Sequence, residues 1–221
     1  MKQFTFIIAY ICLAFFSPVL HAQTKVYKGT LGDRQIEMHL LTTKFGMYGY
    51  YFYKKIPWLI PLLAEERNKR IRLIQDDPFG DIFFSISTSG RTISGKWNNH
   101  EHDTDISVPF SVSETGPETV NKNFARYSGD YEARVNGSLK ELGVYFINNN
   151  HLYFNMSVGS ADCQGLLSAI AKIQSANMAV FTGPDCIVTI TWHNDEITIQ
   201  EGDCTNQHGA NCDFNGVYKK R

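Results

Sequence analysis

The chain has 221 residues, of which 43% are hydrophobic and 13% aromatic, and its formal net charge is −1. That near-neutrality leaves no basic face for nucleic acid. Beyond the N-terminal leader no run reaches the roughly 18 apolar residues of a membrane-spanning helix.

The N-terminus reads MKQFTFIIAYICLAFFSPVLHAQ, with Lys2 ahead of an apolar run, a break at Pro18 and a small residue at Ala22. This is the layout of a secretory signal peptide over residues 1–22, and it predicts a periplasmic or secreted protein beginning near residue 23. From there on Tyr, Phe, Ile, Val and Thr recur between closely spaced turn residues, the pattern of short antiparallel strands. Strands are predicted at residues 25–29 and 34–41 around a Gly32-Asp33 turn, then at 49–53, with Lys54-Lys55-Ile56-Pro57 as the stop. Further strands follow at 59–64, where Pro61 suggests a sheet edge, and at 71–74, 82–86, 92–97 and 106–112. The polar stretch at residues 114–123 reads as a linker between an N-terminal β domain (23–113) and a C-terminal one (124–221).

The second half repeats the style, with strands predicted at 129–135, 143–147, 151–156, 179–182, 186–192, 196–200 and 214–219, and at 166–173, where a short helix is the alternative but the turn signal at Ser175-Ala176-Asn177 and the surrounding strands favour β. Asn148-Asn149-Asn150 and His193-Asn194-Asp195 read as hairpin turns. Tyr27-Lys28-Gly29 and Tyr127-Ser128-Gly129 open the two halves alike, and Gly49-Tyr50-Tyr51-Phe52 is echoed by Gly143-Val144-Tyr145-Phe146, which raises an internal duplication. The expected fold is all-β: two tandem small antiparallel barrels or sandwiches, calycin-like, the C-terminal half stapled by disulfides.

Cys12 is lost with the leader, leaving Cys163, Cys186, Cys204 and Cys212. An even number in an exported chain predicts two disulfides. Pairing sequence neighbours closes the shortest loops and gives Cys163–Cys186 and Cys204–Cys212, which would set His208-Gly209 at the tip of a stapled hairpin. His208 is therefore a candidate contact residue.

The run Cys186-Ile187-Val188-Thr189-Ile190, Ile197-Thr198-Ile199, Cys204, Cys212 and Phe214-Asn215-Gly216-Val217-Tyr218-Lys219 resembles the C-terminal strands of small exported proteins of Gram-negative bacteria, a group that includes periplasmic lysozyme inhibitors. The first half is similar to such β-modules in Tyr27-Lys28-Gly29, Gly49-Tyr50-Tyr51-Phe52-Tyr53 and Ile93-Ser94-Gly95-Lys96-Trp97. Ser128-Gly129-Asp130-Tyr131 resembles the Ser-Gly-x-Tyr loop by which invertebrate-type lysozyme inhibitors plug their enzyme, which implies a binding role for those four residues. The same letters also suit the start of a barrel strand, with glycine permitting a bend and tyrosine filling the interior.

Chemistry-bearing motifs are sparse. His100 and His102 fall on one face of an extended segment and could hold zinc with a third ligand such as His39 or His151. No G-x-S-x-G elbow, free thiol or glycine-rich phosphate loop is present, so neither a catalytic residue nor a cofactor is assigned. Arg67-Asn68-Lys69-Arg70-Ile71-Arg72 reads as a solvated hairpin tip. The apolar segment Ile56-Pro57-Trp58-Leu59-Ile60-Pro61-Leu62-Leu63 is either buried or an interaction surface, and in the second case Trp58 is its anchor. The leading expectation is a non-enzymatic binding protein for a protein partner such as a cell-wall hydrolase or toxin. A lipid or small-molecule carrier lined by Tyr50, Phe52, Tyr145 and Phe154 is the alternative, and a metal-dependent enzyme at His100 and His102 the second alternative.

Overall fold

The computed structural model describes residues 23–43, 46–56, 58–67, 70–75, 82–100, 105–135, 138–160, 163–204 and 206–221, with side chains throughout except at 65–71. The proposed leader and the expected turn at 76–80 lie outside these residues. Eight strands form the first barrel: β1 (Gln23–Leu31), β2 (Arg34–Thr43), β3 (Gly46–Tyr53), β4 (Ile60–Arg67), β5 (Arg70–Gln75), β6 (Ile82–Ser89), β7 (Thr92–Asn99) and β8 (Ile106–Glu118). After a short helix α1 (Lys122–Ala125), eight more form the second: β9 (Gly129–Val135), β10 (Ser138–Phe146), β11 (His151–Gly159), β12 (Gln164–Ser175), β13 (Met178–Thr182), β14 (Ile187–His193), β15 (Glu196–Gly202) and β16 (Gly216–Lys220). Each strand pairs antiparallel with its sequence neighbours, and β1 with β8 and β9 with β16 close the two barrels. Such closure leaves neither sheet with an open edge.

The period-two pattern explains the layering. Along β2, Ile36, Met38 and Leu40 face the first core; along β3, Tyr51 and Tyr53 do so. The alternate residues Leu41, Tyr48, Tyr50 and Phe52 face outward into a separate cluster. Both interiors are filled with side chains. In the second barrel Phe146, Phe154, Trp192, Phe214, Tyr131 and Tyr218 are each buried to 1% exposure or less. Close approaches between strands need glycine, as at two positions. A Cβ at Gly29 would lie 2.0 Å from the Ser111 carbonyl oxygen and one at Gly95 1.9 Å from that of Ser85. Strand crossings this tight let eight short strands coil around a core of side chains alone.

Several expectations are corrected. The linker is shorter than predicted, because residues 114–118 continue β8 and Thr24 pairs with Glu118. Lys122 then opens α1, capped by the Asn121 side chain. Phe124 of this helix stacks on Phe146 at 5.4 Å and meets Trp192 edge-on at 5.9 Å, so the segment plugs one end of the second barrel. Pro61 is not on a sheet edge: it pairs with Tyr50 of β3, while the β5 ladder begins one residue later at Leu62, so its missing N–H falls where only one neighbour is engaged.

The disulfides join Cys163 to Cys212 and Cys186 to Cys204, not the sequence neighbours. Register is the reason. Ile187 pairs with Gly202, which brings the residues flanking that pair together, and the Cys186 and Cys204 Cα atoms lie 4.1 Å apart. The loop after Cys204 then folds back onto the start of β12. Leu166 N–H donates to the Gln207 carbonyl at 3.1 Å, and Gly209 N–H to that of Gln164 at 3.1 Å. Cys212 is thereby carried to Cys163.

The barrels meet through equivalent strands. Leu41, Tyr48, Tyr50 and Leu63 from β2–β4 pack on Tyr145, Tyr153 and Ile170 from β10–β12. These are the second, third and fourth strands of each barrel. Of the two repeat signals in the sequence, the Tyr27 segment lies in the middle of β1 and the Tyr127 segment runs into the start of β9, the first strand of each barrel. The Gly49 and Gly143 segments fall on a third and a second strand, β3 and β10, so they are not counterparts.

Candidate functional site

Two regions depart from ordinary barrel packing: a polar centre between the barrels, and an open rim at one end of the first barrel.

The polar centre is built on the outward faces of β2 and β3. The His39 ring lies between two carboxylates, with Nε2 at 3.0 Å from Glu37 and Nδ1 at 2.8 Å from Glu118, and it stacks on Tyr50 at 4.7 Å. Asn148, 2% exposed, donates to the Tyr50 hydroxyl at 3.0 Å and to Glu118 at 3.2 Å. His151 meets Tyr50 edge-on at 5.5 Å, and its Nδ1 is buried with no hydrogen-bond partner among the described residues. Burial and the neighbouring His39 push the His151 imidazole below its ordinary value, against the pull of Glu118. Burial tends to raise the Glu37 carboxyl, but hydrogen bonds from Lys28 and His39 outweigh it and leave that group below the usual range. Beside this centre Tyr48 stacks on Tyr145 at 3.9 Å and 10°, and the Thr24 hydroxyl donates to the Ile147 carbonyl. Every one of these groups is turned toward the other barrel. The centre joins the barrels: Asn148 of the second reaches Tyr50 and Glu118 of the first.

The rim is different. Beyond β3 the chain turns through Lys54, Lys55 and Ile56, fixed by Lys54 N–H donating to the Gln35 carbonyl at 3.0 Å and Ile56 N–H to that of Tyr53 at 2.8 Å. Trp58 follows at 76% exposure and Ile56 at 43%. Leu59 and Leu63 pack into the inter-barrel cluster, while Ile60 and Leu62 enter the first core. The apolar segment is thus buried at one end and displayed at the other. Beside the displayed end a pocket of about 670 Å³ is lined by Asp33, Arg34, Gln35, Tyr53, Lys54, Lys55 and Ile56. Arg34 lies 5.5 Å over the Tyr53 ring, and among the described residues neither Arg34, Lys54 nor Lys55 forms an ion pair.

The other sequence candidates are held in the framework. Tyr131 of the Ser128-Gly129-Asp130-Tyr131 motif is 1% exposed, and its hydroxyl donates to the Tyr127 carbonyl at 2.7 Å. Ser128 Oγ accepts from Phe146 N–H at 3.1 Å, and Asp130 accepts from the Tyr145 hydroxyl at 2.5 Å. Gly129 has φ +146° and, like Asp130, begins strand β9. The motif is a strand start that fills a barrel, not a protruding plug. Tyr218 repeats it on the neighbouring strand, donating to the Phe214 carbonyl at 2.7 Å two residues after Gly216. The His208 side chain is 7% exposed and bonded to Glu201 at 2.9 Å, so it secures the folded-back loop and is not a contact tip.

Of the metal candidates, His100 pairs with Asp105 at 2.6 Å and His102 lies outside the described residues. His39 has both nitrogens engaged, and among the described residues no group of three His, Cys, Asp or Glu could hold a metal. The basic run at 67–72 is described only at Arg72 among its side chains, where the guanidinium lies 3.5 Å from the Phe83 ring centre. Tyr50, Phe52 and Tyr145, expected to line a carrier cavity, face the partner barrel, and only Phe154 points into a barrel.

The sequence reading missed Arg34, Lys54, Lys55 and Tyr53 as a group. Lys-Lys ahead of Ile-Pro-Trp reads as a strand stop, and the register of β3 on β2, with Tyr53 opposite Ile36, sets Arg34 beside it. No family model, no curated protein and no solved structure matches the chain. Among the described residues no helix is long and apolar enough to cross a membrane. The two disulfides suit an oxidising compartment.

Proposed function

We propose that the protein is an exported, non-enzymatic binding module that holds a protein partner, of the class of a cell-wall hydrolase or a toxin, at the rim of its first barrel. The observation that carries this reading is Trp58. A tryptophan 76% exposed, two residues beyond a turn that backbone hydrogen bonds fix at Lys54 and Ile56, is an interface anchor in waiting, since large aromatics dominate binding energy when a partner buries them. Further support is architectural: the strand end that leads to the rim belongs to a closed barrel, which limits the backbone that must be ordered on association. The test is calorimetric titration of residues 23–221 against purified lysozymes and other wall hydrolases, with Trp58→Ala in parallel. Stoichiometric binding without turnover, weakened by about tenfold or more in the variant, supports the reading. Absence of binding across the panel, or binding indifferent to Trp58, counts against it.

A further inference from the structure

We infer that the pocket beside Trp58 receives carboxylate side chains, so that the partner's docking segment is acidic with an apolar residue alongside. This rests on the reading of the rim as a protein-binding site. Arg34, Lys54 and Lys55 line one concavity, are exposed, and have no ion-pair partner among the described residues, whereas Asp33 is the single acidic residue in the lining. Elsewhere on this barrel Lys25 is paired with Glu114 at 3.2 Å and Lys28 with Glu37 at 3.0 Å, and among the described residues Lys96 stands alone on β7 with no second cation in a concavity beside it. The rim therefore concentrates uncompensated positive charge on a chain of net charge −1. Its walls add Tyr53 under the Arg34 guanidinium, which holds that cation in place, and Ile56. A volume near 670 Å³ admits a few side chains rather than a folded domain. The complementary occupant carries negative charge for the pocket and an apolar group for Ile56 and Trp58. An acidic protein segment meets both demands.

The experiment uses residues 23–221 with poly-L-glutamate as the acidic polypeptide probe. Inorganic phosphate and phosphatidylglycerol vesicles serve as competing anion sources. Binding is read by iodide quenching of Trp58, with Trp58→Phe identifying the signal, and by backbone amide shifts of Lys54 to Ile56. The expected result is protection of Trp58 by poly-L-glutamate. Affinity falls about tenfold or more in Lys54→Glu/Lys55→Glu and in the milder Arg34→Gln, and it weakens at high salt. Both variants alter exposed side chains, and an unchanged circular dichroism melt verifies folding. Binding indifferent to these substitutions overturns the inference. So does phosphate binding as tightly as poly-L-glutamate, which marks an adventitious ion only, or response to vesicles alone, which marks a lipid surface. Where a hydrolase binds through Trp58 but ignores the charge reversal, the acidic-segment inference falls and the binding module stands. Where neither Trp58→Ala nor the charge reversal changes any interaction, both fall.

Discussion

Replacing Tyr48 by alanine should destabilise the barrel that does not contain it. Tyr48 belongs to the first barrel, is 7% exposed, and stacks on Tyr145 of the second at 3.9 Å. Truncating a buried aromatic costs about 3–5 kcal/mol, a large share of the roughly 5–15 kcal/mol that holds a domain folded. Tyr145→Ala should cost a similar amount plus about 1 kcal/mol for its hydroxyl bond to Asp130. The double variant should cost less than the two added together, by about 1 kcal/mol, because the stacked pair is lost only once. The assay is urea unfolding followed by tryptophan fluorescence. Trp97 reports the first barrel and Trp192 the second, each in a background where the other two tryptophans are phenylalanine. The expected outcome is that Tyr48→Ala lowers the midpoint seen by Trp192. An unmoved Trp192 transition, or single costs additive to within about 0.3 kcal/mol, refutes the view that the outward faces couple the barrels.

Three further outcomes follow from the geometry. Loop-entropy arithmetic for separations of 49 and 18 residues predicts losses of about 4 kcal/mol for Cys163→Ser/Cys212→Ser and about 3 kcal/mol for Cys186→Ser/Cys204→Ser; peptide mapping that recovers a Cys204–Cys212 link would contradict the pairing. Stability should fall on acidification. The His151 imidazole sits below its ordinary value of 6.5, so the unfolded chain takes up that proton first and stability declines as pH drops below about 6.5, with Glu37, held below 4.5, adding a second loss at lower pH. Denaturation midpoints at pH 7.5, 6 and 5 check this, and His151→Gln should flatten the first step while His39, Glu118 and Lys172 remain around the site. Tyr131→Phe and Tyr218→Phe should each cost about 1 kcal/mol by removing a buried hydroxyl bond to a carbonyl four residues earlier, and a variant with wild-type stability would show that those bonds are not needed.

Most strands were legible because alternation survives in the letters. The Ile36, Met38 and Leu40 series and the 129–135 segment declare one buried face each. Trp58 could be singled out but not placed, since an apolar run looks the same whether a neighbour covers it. The cysteine pairing was not legible, because register and a loop folded back over β12 decide it, and both depend on residues far apart in sequence. The same holds for the polar centre: Glu37, His39, Glu118, Asn148 and His151 come from three separate stretches and meet only when two barrels lie face to face. Phe124 stood beside a polar run and was passed over, although its ring seals a barrel end.

The second, third and fourth strands of each barrel meet, as equivalent patches of two like subunits do in a homodimer, but here within one polypeptide. A free dimer of this kind would come apart on dilution. Here residues 119–128 act as a tether between the halves, so the association is intramolecular and its effective concentration stays fixed however dilute the protein becomes. Unlike a homodimer, the two halves are also free to differ. All four cysteines beyond Cys12 lie in one half and the cationic rim in the other, so covalent staples and clustered charge are divided between surfaces that a symmetric assembly would have to keep identical.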